Sequence, residues 1–421
     1  MQVNTLARRI VPLASLFLVS GTASPRDWPQ FLGPTRNGVY AGPPLAEAWP
    51  KEGPPVLWQK AVGSGWSGPV VASGKLILHH RLGDKETVEC FDAKTGATNW
   101  TQTCPTRYRD SFGFDDGPRA TPSIAGGKVY TFGAEGVLNC LALETGKTIW
   151  RVDTKKEFQP PSGYFGLACS PLLEGNAVLL NIGGHGGAGI VAFDRENGKV
   201  LWKATDEEAS YSSPVAATLR GRRYAFFFNR AGLVAVAPDS GKVQFEFPWR
   251  PAIQASVNAA APLVIDDLIF VSTCYERGAL LLRFNGKEPE KIWSGDEILS
   301  NHYATSVHHN GFLYGIDGRA DPGYQPPPSL RCVELKTGQV QWRDESLGAG
   351  TVTLAGDRLL VLTDKGQLVL VAASPRKFSL LARAQILPTT VRAHPALADG
   401  LFFGRSKDKL VCADLRAAQQ D

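Results

Sequence analysis

The sequence has a single methionine, Met1, and lacks the Cys-x-x-Cys-His motif that attaches haem covalently. Once the initiator region is removed, no thioether remains to ligate haem iron or copper, which excludes a fused cytochrome. Basic runs and arginine-rich stripes are also missing, and 45 Lys and Arg residues nearly balance 40 Asp and Glu residues. This balance argues against a nucleic-acid partner, because binding to phosphates requires clustered positive charge.

No long hydrophobic run is present beyond the N-terminus. Residues 1–23 are typical of a secretory signal peptide, with two arginines, an apolar core at 10–19 and a small-residue cleavage site ending at Ala23. The apolar core is too short to span a bilayer. A lipoprotein would need a cysteine just after it, whereas the first cysteine is Cys90. The sequence predicts an exported, periplasmic protein without a transmembrane span; an uncleaved N-terminal anchor is the alternative.

The sequence is rich in glycine (44), proline (29) and tryptophan (10), and it contains an internal repeat. Its core is an Asp/Glu-x-x-Thr-Gly-Lys turn followed by a strand that carries a tryptophan. Good copies lie at residues 90–100, 140–150, 192–202 and 332–342. Weaker copies end at Phe245 and Trp293, and a degenerate copy covers 368–382. Each copy predicts a β-hairpin whose glycine takes a positive φ.

A second pair of strands precedes each hairpin, so a repeat of 40 to 50 residues holds four strands, as in a propeller blade. The last repeat ends before its outermost strand, and an orphan strand at 56–60 supplies it. The sequence therefore predicts an all-β, eight-bladed propeller whose ring is closed by an N-terminal strand joining the C-terminal blade. The predicted blades are 64–104, 117–153, 165–205, 209–247, 256–294, 301–345, 348–386 and 391–415 with 56–62.

Segments outside the repeats complete the predicted organisation. An N-terminal extension, 24–55, is expected to dock on the propeller domain, 56–415, and a short tail covers 416–421. Trp28 and Phe31 are the apolar anchors of the extension; the alternative is an unstructured linker. Coiled inserts are predicted at 104–118, 154–165 and 318–329.

The repeat closely resembles that of the pyrroloquinoline-quinone (PQQ) type propellers. That superfamily includes eight-bladed quinoprotein alcohol dehydrogenases and the non-enzymatic outer-membrane assembly propeller BamB. Residues 27–38 resemble the leader of BamB-like secreted propellers of planctomycete-type bacteria, often labelled polyvinyl-alcohol dehydrogenase-like. The resemblance implies a non-catalytic scaffold that contacts an envelope protein partner. A PQQ-dependent alcohol dehydrogenase, or a binder of small ligands or glycans, is the alternative, because one propeller fold serves several functions.

Aligning the repeats identifies the positions that face the central channel. One ring holds only small residues, as close approach of eight strands requires. A ring of polar and aromatic residues flanks it and forms a candidate ligand-binding cup. Its members are Trp66, Arg119, Tyr211, Asn258, His302, Tyr303, Arg392 and His394. Such a cup suits a planar or anionic ligand; alternatively, these side chains bond to one another and plug the channel.

A quinone cofactor is the less favoured expectation for this cup. The related methanol dehydrogenases hold Ca²⁺ with Glu, Asn and Asp and place a disulfide of adjacent cysteines over the quinone. Here the aligned positions offer Asn258 without an acidic residue, and no Cys-Cys pair occurs. The sequence thus predicts no cofactor and no catalytic residue, with PQQ and Ca²⁺ as the alternative.

The remaining histidines and the cysteines favour structural roles. His79-His80 and His308-His309 lie in strands, where neighbouring side chains point to opposite faces and cannot share a metal. Cysteines at equivalent positions of different blades are too far apart for disulfides. These are Cys90, Cys140, Cys332 and Cys412, whereas Cys104, Cys169 and Cys274 stay undetermined. We expect a monomer with at least one free thiol, and an insert at 107–119 that forms a lid, a partner contact or a plain solvated loop.

Overall fold

Residues 27–321 and 323–417 are described by the structure, a computed structural model. Within them the chain forms eight antiparallel sheets of four strands, and one sheet gains a fifth, parallel strand from the N-terminal extension. The predicted all-β, eight-bladed propeller is confirmed. The predicted signal peptide, 1–23, lies outside the described residues, as do residues 418–421 of the tail.

Every blade runs from an innermost strand at the axis to an outermost strand at the rim. In this order, the strands of blades 1 to 4 are Val70–Ala72, Lys75–Leu82, Lys85–Asp92 and Thr98–Pro105; Ser123–Ala125, Lys128–Phe132, Val137–Ala142 and Thr148–Asp153; Leu172–Glu174, Ala177–Gly184, Ala188–Asp194 and Val200–Ala204; Val215–Leu219, Arg222–Phe228, Gly232–Val236 and Val243–Pro248.

Blades 5 to 8 continue the pattern, and the last one closes the ring. Their strands are Leu263–Ile265, Leu268–Thr273, Gly278–Phe284 and Pro289–Gly295; Val307–His309, Phe312–Asp317, Ser329–Glu334 and Val340–Asp344; Gly350–Ala355, Arg358–Thr363, Gln367–Ala372 and Leu380–Gln385; Ala396–Ala398, Leu401–Arg405, Lys409–Asp414 and Val56–Ala61.

Ring closure depends on the pairing of the two ends of the propeller. The strand Val56–Ala61 runs antiparallel to Lys409–Asp414, with Trp58 opposite Cys412. This places the N-terminal strand at the outer edge of blade 8, as predicted. Pairing across the ends removes the gap at which a propeller would otherwise open.

The hydrophobic core is divided among the blade junctions. Alternate residues of each strand point to opposite faces, so each blade buries one apolar face against each neighbour. Between blades 4 and 5, for example, Phe245 and Phe284 pack with ring centroids 4.7 Å apart, and Phe226 lies beside Phe245.

The repeated tryptophan and glycine meet across these junctions. The indole Nε1 of Trp100 in blade 1 donates to the carbonyl oxygen of Leu143 in blade 2, at 2.8 Å. A Cβ atom at Gly146 of blade 2 would lie only 2.4 Å from the Trp100 ring. We call this contact the Trp–Gly dock. Equivalent docks join Trp58 to Gly96, Trp150 to Gly198, Trp202 to Gly241 and Trp293 to Gly338.

Hydroxyl groups link neighbouring blades at the axis. The backbone N–H of Gly68 donates to Thr121 Oγ1 at 3.0 Å, that of Thr121 to Ser170 Oγ at 2.9 Å, and that of Ser170 to Ser213 Oγ at 3.0 Å. These bonds run in sequence from blade 1 to blade 4. They satisfy buried backbone donors and fix the spacing of the loops that form the mouth of the channel.

Residues 27–40, which we call the leader, cross the axis. At one end Trp28 forms a two-residue bridge with Val71 of blade 1, and at the other Val39–Tyr40 pairs in parallel with the innermost strand of blade 7. Between them Arg36, only 2% exposed, donates to the carbonyl oxygens of Pro171 and Pro214. The leader therefore fills the channel and supplies donors to carbonyl oxygens that directly precede the innermost strands of blades 3 and 4.

Three inserts rise from the rim of the mouth, with bounds slightly different from those predicted. The outermost strand of blade 1 runs through Pro105, so the first insert begins at residue 106. The second insert, between blades 2 and 3, starts with a short helix, Thr154–Phe158, that Asp153 caps. The third insert connects two strands of blade 6, from Gly318 to Pro328.

The Trp–Gly dock predicts a position-specific cost of adding one methyl group. Gly146 and Gly127 lie in the same blade with φ of +69° and +71°, but a Cβ atom at Gly127 meets nothing within 4 Å. Gly127→Ala should lower the free energy of unfolding by about 1 kcal/mol through backbone strain alone. Gly146→Ala should lower it by about 3 kcal/mol, because the methyl group also displaces Trp100. Equal losses in chemical denaturation would contradict the dock.

Candidate functional site at the propeller mouth

A cavity of about 230 Å³ lies at the mouth of the channel, bounded by the inner ring, the three inserts and the leader. Seven of the eight side chains predicted from the repeat alignment line it. They are Trp66, Arg119, Tyr211, His302, Tyr303, Arg392 and His394. These side chains meet at the mouth because each lies in the segment that leads into the innermost strand of its own blade.

The eighth predicted residue, Asn258, has a different environment. It is 2% exposed and is not among the described residues that line the cavity. Its side-chain amide donates to the backbone carbonyl oxygen of Asn229, in the preceding blade 4, at 2.8 Å. Its own carbonyl oxygen accepts the backbone N–H of Tyr211 at 3.0 Å. Asn258 therefore positions the loop that carries Tyr211, and its side chain does not face the cup.

The charge of Arg119 is compensated by protein groups. Its Nη2 donates to Asp110 Oδ2 at 2.7 Å and to the carbonyl oxygen of Asp115 at 3.2 Å. The guanidinium carbon lies 4.6 Å from the Trp66 ring centroid and 5.1 Å from that of Phe165. The Asp110 side chain is completely buried, so this ion pair is shielded from water and Arg119 has no uncompensated charge for a ligand.

Tyr211 and His302 also have partners. The Tyr211 hydroxyl accepts the backbone N–H of Phe165 at 3.1 Å. His302 Nδ1 accepts the N–H of Ala320 at 3.2 Å, so its Nε2 is left to donate to the Tyr275 hydroxyl, 2.9 Å away. Burial lowers the pKa of His302 to about 4, which keeps it neutral at pH 7. Together with Arg119 these residues form the paired half of the cup.

Arg392, Tyr303 and His394 form the open half. The Arg392 guanidinium contacts the rings of Trp66, Phe114 and Tyr303 at 4.7, 5.6 and 5.6 Å, and among the described residues it has no hydrogen bond or ion pair. The Tyr303 hydroxyl is buried without a partner. Neither ring nitrogen of His394, a residue only 7% exposed, has a partner in the described part of the chain. Buried polar groups without partners are costly, so this half has unused binding capacity.

Several lining residues come from segments outside the repeat. Phe112 and Phe114 of the first insert stack at 6.0 Å and 16°, and Phe112 contacts Phe165 of the second insert at 5.5 Å. They line the outer side of the cavity; a lid is one of the three roles expected for the insert at 107–119. Phe31 of the leader forms the floor and meets His394 edge to face at 5.1 Å. The aromatic content of the insert and leader was the sequence signal for these positions.

The third insert adds an ion pair that sequence analysis did not identify. Arg319 Nε donates to Asp321 Oδ2 at 2.6 Å, and the guanidinium carbon lies 4.7 Å from the Tyr275 ring centroid. Asp321 is the single carboxylate among the described residues that line the cavity. Because the insert is rich in proline and has no counterpart in other blades, repeat alignment could not place these residues.

The lining does not fit a quinone held by calcium. Calcium takes 6 to 8 oxygen ligands, usually including several carboxylates. Asp321 is bound to Arg319, and no group of three or more His, Cys, Asp or Glu side chains converges anywhere in the described residues. The cavity is also smaller than the roughly 300–1,000 Å³ of typical pockets for drug-sized ligands.

Histidines and cysteines elsewhere have structural surroundings. His79 and His80 are buried in blade 1 and face Glu86 and Glu89 at 3.6 and 2.9 Å. Their side chains point to opposite faces, as predicted. All seven cysteines are free thiols, and all except Cys104 are buried.

Comparison with known proteins agrees with the fold. The family model described as outer membrane protein assembly factor BamB matches residues 84–323 and 328–418. No curated protein matches the chain in sequence. The structure is similar to that of BamB from Moraxella catarrhalis, with 14% identity and a TM-score of 0.63, covering 87% of this chain and 99% of that one.

Dehydrogenases of the same fold are similar to this structure to about the same degree as BamB. The quinohemoprotein alcohol dehydrogenase from Comamonas testosteroni is 15% identical with a TM-score of 0.66, covering 95% of this chain and 82% of that one. A europium-containing methanol dehydrogenase is 12% identical with a TM-score of 0.63, covering 93% and 90%. At such identities the likeness shows a shared fold and does not select an activity.

The buried state of His394 predicts a pH dependence of stability. Burial lowers its pKa from 6.5 to about 4, so below pH 6.5 the unfolded chain binds a proton that the folded chain excludes. The free energy of unfolding should then fall with decreasing pH by up to about 1.4 kcal/mol per pH unit from this group. His394→Phe should reduce the slope between pH 6.5 and 5, where most carboxylates remain ionised. His185→Gln, at an exposed position, is the control; an unchanged slope in His394→Phe would refute the assignment.

Proposed function

The chain belongs to the family described as outer membrane protein assembly factor BamB, and on this premise we propose that it is an exported, non-catalytic platform for binding or assembly in the cell envelope. The observation that carries the proposal is the family match, which spans residues 84–323 and 328–418. Export rests on the predicted signal peptide at 1–23. No helix within the described residues has the length and apolarity to cross a membrane.

The closed channel supports a role for the outer surface. The leader fills the axis, and aromatic residues of the inserts cover the mouth. This arrangement leaves neither a path for a solute through the axis nor a wide cleft for a substrate among the described residues. A propeller closed in this way offers its rim and loops to a macromolecule.

The outermost strands have the features of a protein-binding rim. Each presents an unpaired backbone edge, to which an extended segment of a partner can add as a further strand. Apolar side chains beside several of these edges are 42% to 48% exposed. They are Leu57, Ile149, Leu201, Leu380 and Leu381. Ile149 and Leu201 precede Trp150 and Trp202 in adjacent blades, so they occupy equivalent positions on neighbouring edges.

A quinone-dependent alcohol dehydrogenase is the competing function, since dehydrogenases share the fold. The paired state of Arg119 weighs against it, as does the finding that no group of three or more His, Cys, Asp or Glu side chains converges among the described residues.

The rim proposal predicts that charge on the exposed apolar pair prevents partner binding. The double variant Ile149→Glu and Leu201→Glu should reduce capture of an envelope partner by about tenfold or more, as expected for apolar anchors of an interface. The matched control is Asn99→Glu with Gln341→Glu, at the exposed positions before Trp100 and Trp342. Capture is measured by crosslinking in envelope extract. Equal capture by both double variants, or none above background with the native chain, would contradict the proposal.

The non-catalytic assignment predicts no turnover with added cofactor. Purified protein incubated with PQQ and Ca²⁺ should neither retain the chromophore nor reduce a dye with alcohols. Retention and turnover that both disappear in Trp66→Ala and Arg119→Ala would instead establish the dehydrogenase.

A further inference from the structure

The open half of the cup carries an uncompensated positive charge. Three arginines line the cavity, and two of them have carboxylate partners: Arg119 pairs with Asp110 and Arg319 with Asp321. The guanidinium of Arg392 contacts three aromatic rings and, among the described residues, forms no ion pair. Asp364 is near enough for Arg392 to influence its pKa, but the two do not form an ion pair. A guanidinium surrounded by rings and lacking a counter-ion is prepared to bind an anion.

The other two members of the open half can complete the coordination of such an anion. The Tyr303 hydroxyl is buried and stays protonated, because burial raises its pKa, so it can donate a hydrogen bond. His394 is neutral at pH 7 and has one N–H to donate, with neither ring nitrogen bonded to the described protein. A carboxylate has two oxygens with about four acceptor positions, enough for the Arg392 fork and these two donors.

Size and shape narrow the class of ligand. A cavity of about 150 Å³ suffices for benzene, and this one measures about 230 Å³. It therefore has room for one ring with a carboxylate. The rings of Phe31, Trp66 and Phe114 bound the space from floor to roof, and aromatic walls favour a flat, apolar body.

We propose that the open half of the cup binds a small planar carboxylate of the single-ring aromatic class without a metal ion. Arg392 supplies the charge, Tyr303 and His394 supply the neutral donors, and the aromatic walls hold the ring. This site is separate from the rim, so it does not depend on the proposed platform function.

Calorimetric titration of the native chain in low-chloride buffer at pH 7 tests the site with three probes. Benzoate has both charge and a flat ring, benzamide lacks the charge, and cyclohexanecarboxylate lacks the flatness. We expect saturable binding of benzoate with a dissociation constant on the order of 1 mM or tighter, and at least about tenfold weaker binding of the other two. Benzoate that fails to bind, or that binds no better than benzamide, would overturn the proposal.

Two variants locate the site, each checked for an unchanged unfolding temperature. Arg392→Gln should weaken benzoate binding at least about tenfold, and Tyr303→Phe, which removes one hydroxyl from a side chain that otherwise keeps its packing, about threefold or more. Arg283→Gln, at a half-exposed arginine in blade 5, is the control and should bind as the native chain does. Native affinity in both Arg392→Gln and Tyr303→Phe would place the binding elsewhere and refute the assignment.

Discussion

The Trp–Gly dock is the contact on which the rest of the structure depends. A blade of four strands cannot bury both of its apolar faces alone, so its stability comes from its neighbours. At the five junctions that have it, the dock fixes the neighbouring blade at one spacing, since the indole ring needs a position without a Cβ atom and its N–H needs a carbonyl oxygen in the next blade. The dock from Trp58 to blade 1 also joins the end of the ring to its beginning.

The fixed spacing between blades at the rim determines which residues fit where the innermost strands converge on the axis. Innermost strands converge there, and only small residues fit at their closest approach, among them Ser67, Ala120 and Cys169, which are fully buried. The leader occupies the remaining space, with Arg36 donating to carbonyl oxygens of blades 3 and 4. The same leader places Phe31 under the mouth, so the floor of the cup is a product of how the channel is filled.

Much of the fold follows from the sequence because it is repeated. The turn glycine and the tryptophan identify the hairpins, and the orphan strand at 56–60 explains the missing outermost strand of blade 8. The positions of Trp66, Arg119, Tyr303 and Arg392 around one axis follow from the same alignment. Periodicity constrains these residues because equivalent positions in a ring face the same point.

The hydrogen-bond and ion-pair partners of the cup residues could not be predicted from the sequence. Arg119 is neutralised by Asp110, and Arg319 and Asp321 join the wall, yet all three partners belong to inserts without counterparts in other blades. Asn258 shows the opposite error: it occupies an aligned position, but its amide donates to Asn229 of the preceding blade and does not face the cup. Alignment gives the direction of the backbone, whereas side-chain contacts depend on the segments that interrupt the repeat.

The central claim is that both ends of the described chain are integral to the ring and to the cup. Hydrogen exchange of single amides tests it most directly, at Trp28, which donates to Val71, at Gly38, which donates to Leu32, and at Val62, which donates to Asp408. If the claim holds, these amides exchange as slowly as those of the innermost strands, because they open only when the propeller unfolds. Exchange of the leader amides within seconds, while the blades stay protected, would show that the leader is neither channel plug nor floor and would contradict the account.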